Sequence, residues 1–342
     1  MNTQTGSTTF DGKRATDVLR KPEINKSTGF TEAEKQALGM KTESQMEENI
    51  KRIVLTLALV AAMCVCSATS IAASKDLFNF QTIIFPGDTF TQTLGINDRQ
   101  KVAGYHGATV NQGFVFTFPN NFASENFPGS AQTQVIGINN QGYTDGFYID
   151  NAGTTHGFVD IGGTFTTVDF PGTTFNQLLG LNEYNQAAGY YADAANIDHP
   201  YIFDKNGEVF LVITIPGATG GAQATGINDR GSISGFYIDS AGVNHGFLLA
   251  DGELTTLDFP GSTFTQAFGL NNRGDVVGAY IDAAGLTHGF IFDGKGQFQS
   301  VDDPNGVGTT TINGINNLGE IVGFFVDAAG NTDGFVGFPL RQ

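Results

Sequence analysis

The sequence predicts an all-β protein, and three observations narrow it to a six-bladed β-propeller of four-stranded repeats about 43 residues long. First, a Pro-centred turn recurs at Pro86, Pro128, Pro171, Pro216, Pro260 and Pro304, spaced by 42, 43, 45, 44 and 44 residues. Each turn is followed by Gly-(Ile/Leu)-Asn, beginning at Gly95, Gly137, Gly180, Gly226, Gly269 and Gly314. Second, each unit holds four short runs rich in Phe, Tyr, Val, Ile and Thr, separated by turn clusters such as "NNRG", "DSAG" and "DGKG". Such runs read as successive hairpins, and four per repeat is the signature of propeller blades. Third, the two ends of the repeat region complement each other. The last unit stops at "DGFVGFPLRQ" without a fourth run, and the region opens with an orphan run, "FNFQTIIFPG", that matches fourth strands elsewhere.

Taken in chain order, residues 1–45 read as a non-globular leader. Its stretch "DVLRKPEINKSTGFTEAEKQALGM" (Asp17 to Met40) resembles the extreme N-terminal segment of bacterial malic enzymes. The resemblance includes none of that family's catalytic or NAD-binding regions, so it implies no activity. It marks the leader as a gene-fusion remnant or a misplaced start, with Met40 or Met46 opening the working precursor.

Residues 46–73 have the layout of a secretory signal peptide. Lys51 and Arg52 precede an apolar run that ends among Ser70, Ala72 and Ala73, where cleavage is expected. Residues 53–73 are also just long enough to span a bilayer, so the alternative is an uncleaved anchor, and membrane contact is expected only there. Both cysteines, Cys64 and Cys66, fall inside this run. The propeller, residues 76–342, therefore has neither a disulfide nor a thiol nucleophile.

The orphan run Phe78–Phe85 is expected to pair onto the third strand of the last blade, so that chain start and chain end clasp each other. This would cover two sheet edges that otherwise invite aggregation. Gly, at 46 residues, supplies the positive-φ positions that so many tight turns require. No 3.6-residue apolar period persists beyond the leader and signal segments, so helix should be scarce. The repeats "GINNLGEIVGFFVDAAGNTDGF" and "GLNNRGDVVGAYIDAAGLTHGF" resemble the bacterial extracellular repeat family called HAF, with His-Gly-Phe in place of His-Ala-Phe in three units. That resemblance spans essentially residues 78–342. It implies secretion and a repeat β fold, and it brings no activity.

Charge excludes one class of partner. Residues 75–342 carry 26 acidic against 8 basic side chains, a net −18. Such a body repels phosphate backbones and offers no basic cluster, so nucleic acid is not an expected partner.

Asp150, Asp193, Asp239, Asp282 and Asp327 begin the turn between second and third strands, usually as Asp-x-Ala-Gly. His156, His199, His245 and His288 share one equivalent position six residues on, which Gln112 and Asp333 occupy in the first and last blades. Asp with His is raw material for general-base catalysis and for metal binding. A residue repeated from blade to blade, however, is most simply explained by what a blade needs. The expectation is an Asp–His pair within each hairpin that fixes the turn. Calcium needs six or more oxygens, and these turns lack the dense Asp-x-Asp-x-Asp spacing of a calcium loop. No cofactor is expected, calcium being the one metal the turns leave open, and no catalytic residue stands out.

In a four-stranded blade the loops after strands two and four leave from one face. The Asp-x-Ala-Gly and Phe-Pro-Gly turns should therefore share a rim, which is the candidate binding face. On it lie Asp150, His156, Asp239, His245, Asp282 and His288. Departures from the repeat add His106 in the first blade, and Tyr190, Tyr191, His199 and Tyr201 in the third. Asymmetry in blades one, three and four is expected to make any single pocket.

The glutamines Gln92, Gln134, Gln177, Gln223 and Gln266, on the innermost strands, are expected either to ring the channel mouth or to hydrogen-bond between blades. The function these observations favour is a secreted, non-enzymatic binding or scaffolding propeller, with a glycan or an envelope protein as partner. The alternative is a polysaccharide-active hydrolase or lyase on the same fold. Glycosidase chemistry needs two carboxylates facing one pocket about 5–9.5 Å apart, and no unique acid pair is visible.

Overall fold

The structure is a computed structural model that describes residues 77–306 and 308–340. The leader (1–45) and the signal or anchor segment (46–73) lie outside the described residues. Twenty-four strands form six four-stranded antiparallel sheets, and the described residues contain no helix. The fold is the predicted six-bladed propeller.

Each blade runs outward from the axis. In the first, strands Thr91–Ile96, Lys101–His106, Gln112–Thr117 and Asn121–Ser124 pair in order from inside to outside. Inner strands of the following blades are Gln132–Ile138, Asn176–Leu181, Ala222–Ile227, Phe264–Leu270 and Thr311–Ile315. The last blade borrows its outermost strand from the chain start. Phe78–Ile83 pairs with Thr332–Pro339 in register from Phe78↔Pro339 to Ile83↔Gly334, which is the expected clasp.

The cores lie between blades, because a sheet buried on both faces must be covered by its neighbours. Ile202, Ile213 and Ile215 of blade three pack with Ala224, Ile227 and Phe247 of blade four. The closing contact is built alike, from Ile83, Val322 and Val336 of blade six against Val102, Phe114 and Phe116 of blade one.

Near the axis every inner strand carries a β-bulge just before its Gly-(Ile/Leu)-Asn. The extra residue (Leu94, Ile136, Leu179, Thr225, Phe268 or Asn313) lines the axis. The glycine after it stands where neighbouring inner strands abut. A Cβ on Gly95 would sit 2.4 Å from the Ile136 carbonyl oxygen, and one on Gly314 would sit 2.5 Å from that of Leu94. Any side chain there would push two blades apart.

The asparagine two residues on closes the ring. Its Oδ1 accepts from the backbone of its own turn, as Asn228 does from Arg230 and Ser232 at 3.0 and 2.9 Å. Its Nδ2 donates to the backbone carbonyl of the next blade's asparagine. The chain of contacts runs Asn97, Asn139, Asn182, Asn228, Asn271, Asn316 and back to Asn97, at 2.8–3.2 Å. A second closed ring follows one residue later. Each backbone N–H of Asp98, Asn140, Glu183, Asp229, Asn272 and Asn317 donates to the next member's side-chain oxygen.

Two outcomes are expected from this geometry. Asn228→Ala removes one link and two turn contacts and should cost roughly 2–3 kcal/mol in urea unfolding, at about 1 kcal/mol per hydrogen bond. Asn228→Asp keeps the turn acceptor but loses the donor and sets a buried carboxylate oxygen against the Asn271 carbonyl, so it should also destabilise; a loss near zero would mean that the link between blades contributes nothing. Deleting residues 76–85 should abolish the cooperative melt of a chain that begins at residue 74. Identical melting of the two would show the clasp to be dispensable.

Candidate functional site

The rim formed by the Asp-x-Ala-Gly and Phe-Pro-Gly turns exists as predicted. Its repeated polar residues are tied into one local cluster per blade. In blade five, Asp282 Oδ1 accepts from the backbone of Ala284 and Leu286, both at 2.8 Å, making the turn in which Gly285 takes φ +81°. His288 lies across from Tyr280 in the strand register, stacks on it, and Tyr280 in turn stacks on Phe259 with ring centroids 3.7 Å apart. The same stack recurs with Phe127, Tyr148 and His156, and with Phe170, Tyr191 and His199.

The expected Asp–His pairing needs refinement. His288 Nε2 is 3.5 Å from Asp282 Oδ2, beyond a well-formed hydrogen bond, whereas its Nδ1 is 2.8 Å from Asp302 Oδ2. His156 and His245 likewise hold Asp169 and Asp258 at 2.8 and 2.9 Å, with Asp150 and Asp239 farther at 3.5 and 3.4 Å. The closer partner is therefore the aspartate that ends the fourth strand, a residue the sequence reading passed over. The signal was present. Blades two, four and five have both this aspartate and the histidine; blade three has Thr214 there, and His199 pairs only with Asp193, at 2.9 Å.

The pattern-breaking residues also serve the blades. His106 takes the place of the stacking tyrosine, lying on Phe85 at 3.4 Å and bonding Asp88 at 2.9 Å. Tyr190 is buried and donates to Gln177, and Tyr201 is fully buried in the core between blades two and three. The Asp–His pairs stay within their own blades. Among the described residues, no group of three or more His, Cys, Asp or Glu side chains is placed to hold a metal.

An axial well lies on the rim side of the glycine waist, with about 920 Å³ of space including its open mouth. All six bulge residues line it, and its wall reaches Phe264, Ile281 and Thr287 at the rim end of blade five. None of its lining residues is charged. Gln177, Gln223 and Gln266 belong to its wall; Gln223 and Gln266 also bond Asp198 and Asn244 of the preceding blades. The glutamines thus combine both expected roles.

The well is lopsided, and blade five causes it. Opposite each channel-facing position of the inner strand, the second strand places an aromatic side chain: Tyr105, Phe147, Tyr190, Phe236 or Phe324. In blade five that place, across from Gln266, is Ala279. The well is thus asymmetric at blade five, in addition to the departures from the repeat in blades one, three and four. The dipeptide Gly278-Ala279, where the other repeats read Gly-Tyr or Gly-Phe, was the available signal.

Charge is strained elsewhere. Burial pushes Asp145, at the contact of blades two and three, up to about 7 despite the Gly137 N–H it accepts at 2.8 Å. Burial likewise pushes Glu125 up to about 7, opposed by its hydrogen bond from Thr144 and assisted by nearby Asp160. Burial works against charge on His288, but Asp302 and Asp282 outweigh it and raise its pKa. The backbone bonds to Asp282 and the attraction of His288 outweigh burial in turn, and hold that carboxyl below its usual range.

No protein-family model matches this chain, and no curated protein does. Solved structures share its fold at low identity. A putative TolB from Agrobacterium tumefaciens has a TM-score of 0.54 at 10% identity, over 75% of this chain and 91% of that one. The SapL1 lectin, in complex with alpha methyl fucoside, has a TM-score of 0.50 at 11% identity, over 74% and 93%. TolB from Acinetobacter baumannii has a TM-score of 0.48 at 11% identity, over 61% of this chain and about half of that one, 54%.

The buried groups give a pH prediction. A carboxyl whose folded pKa is raised leaves stability intact below its unfolded value and erodes it as pH climbs through the folded one. Raised histidines act in the same direction, while the lowered rim aspartates lose their contribution only as pH falls below about 4. Stability should therefore peak near pH 4 to 5 and decline mainly between there and about pH 7, with Asp145 contributing up to roughly 4 kcal/mol of that decline. Asp145→Ser copies blade four, where Ser234 donates to Phe268 O at 2.7 Å, and should flatten the profile. A wild-type stability that rises from pH 5 to 8 would contradict this.

Proposed function

We propose that this chain is a non-enzymatic binding or scaffolding propeller working outside the cell, meeting its partner on the rim that carries the Asp-x-Ala-Gly and Phe-Pro-Gly turns. One observation carries the reading. The wall of the axial well is built from uncharged side chains, while the repeated Asp and His residues of the rim are bound to one another and to their own turns. An axial well with neutral walls suits retention of a ligand. Acid–base catalysis needs a titratable group within hydrogen-bond reach of the reacting atom. The acids with the largest upward displacement, Glu125 and Asp145, are packed between blades and away from the well.

The signal-peptide layout of residues 46–73 and the likeness to extracellular HAF repeats support an extracellular or envelope setting. A six-bladed ring also suits the partner classes considered, a glycan or an envelope protein. Sugar binding is compatible with the fold, since the SapL1 lectin was solved with alpha methyl fucoside. Fold alone does not fix function, so the assignment rests on the site.

The test is an array of glycans, polysaccharides and envelope proteins presented to the full chain, with and without calcium. Retention without product release is expected, unchanged by chelation. Release of shortened or unsaturated sugar would replace the binding module by a hydrolase or lyase. A calcium requirement would assign the Asp-x-Ala-Gly turns a metal role they do not have in this reading.

A further inference from the structure

We propose that the axial well takes an uncharged, aromatic-bearing amphiphile that offers N–H or O–H donors to its wall. The inference rests on the reading of the chain as a binding module and names what the well would hold.

The wall excludes charge. A charged group entering the well would lose hydration and gain no counter-charge from the lining. The apolar part of the wall is largely aromatic, with Phe147, Phe236, Phe264, Phe268 and Phe324 among its members. Ring-bearing ligands gain from such surroundings through offset and edge-to-face contacts. Ala279 lines the well at the place that an aromatic ring occupies in the other five blades.

The polar part of the wall leaves groups unpaired. Gln223 Oε1 and Asn313 Oδ1 are buried acceptors, and Thr311 Oγ1 is a buried hydroxyl able to donate or accept; none makes a hydrogen bond within the protein. Gln223 and Thr311 are only 4% and 2% exposed. Buried polar atoms are normally paired, so acceptors left without a partner favour a ligand that brings donors. Dense hydroxyls on every edge, as a sugar has, would leave many donors facing phenylalanine. A ring with a few donors along one side fits both halves of the wall.

The dye N-phenyl-1-naphthylamine is uncharged, has two aromatic units and one N–H, and brightens in apolar surroundings. Titrated into the full chain, it should bind saturably. Ala279→Phe restores the ring that the other blades carry and should weaken binding at least tenfold while leaving the melt intact. Thr311→Val and Gln223→Leu, which test the unpaired groups without touching Ala279, should each weaken it roughly threefold to tenfold. The related anionic dye 1-anilinonaphthalene-8-sulfonate should bind at least tenfold more weakly than the neutral one.

Absent saturation, equal affinity in all three variants, or tighter binding of the sulfonate would each overturn the assignment. Displacement of the dye by cellobiose at lower concentration than by a neutral aromatic amide would overturn the ligand class and leave the binding-module reading standing. Product release from a glycan, with the dye series behaving as expected, would overturn the module reading and leave the contents of the well as assigned.

Discussion

Everything in this molecule depends on six inner strands approaching one axis closely enough to be joined. The waist glycines permit that approach, since their Cα atoms and the neighbouring carbonyls leave no room for a Cβ. The asparagines that follow make the approach favourable. Each uses one end of its amide to cap its own turn and the other to reach the next blade. Asp cannot replace Asn here, because a carboxylate has no donor for the next blade; Gln would place its amide one methylene too far out. The requirement for both an acceptor and a donor at fixed reach explains why Gly-(Ile/Leu)-Asn recurs in all six repeats while strand residues drift.

Closure has an energetic consequence. An open row of six blades would leave one unpaired link and two uncovered sheet faces. The circuit from Asn316 back to Asn97, together with the packing of blade six on blade one, removes all of these at once. The N-terminal strand then completes the last sheet. Hydrogen bonding, packing and strand pairing at the seam are thus mutually dependent, which favours all-or-none folding over stepwise addition of blades.

The fold was legible in the sequence because its constraints repeat. Periodic Pro-Gly turns fixed the blade count, and the orphan run at Phe78 fixed the seam. What the repeats share was legible too, but its partners were less so. The hairpin aspartates and the histidines were paired correctly by blade, yet the nearer carboxylates, Asp169, Asp258 and Asp302, lie 13 or 14 residues beyond the histidine. Only the register of third strand against fourth brings them together, and hairpin spacing alone does not show it. Tyr190 and Tyr201 read as pattern breaks and therefore as surface candidates; strand alternation points both inward. The well was the least legible feature. Its asymmetry arises from a residue that is smaller than its counterparts, and an alanine carries no chemically active side chain to draw attention.

That last point bears on where function can arise in a ring of repeats. Positions held alike in all blades are committed to closure, and altering one strains its neighbours on both sides. A small side chain at a position that is otherwise aromatic does the opposite, because it removes contact without breaking a link. Ala279 faces Gln266 across the strand pair, where Tyr105 and Tyr190 face and bond Gln92 and Gln177. Gln266 Nε2 bonds Asn244 of the preceding blade, as Gln134 and Gln223 bond Asn111 and Asp198, and the absent ring opens the wall toward Phe264 and Thr287. Those residues adjoin the hairpin in which Asp282 and His288 are held by turn and stack. The hairpin's polar residues are thus committed to its own turn and stack, and blade five differs from the other five at the well by the ring it lacks.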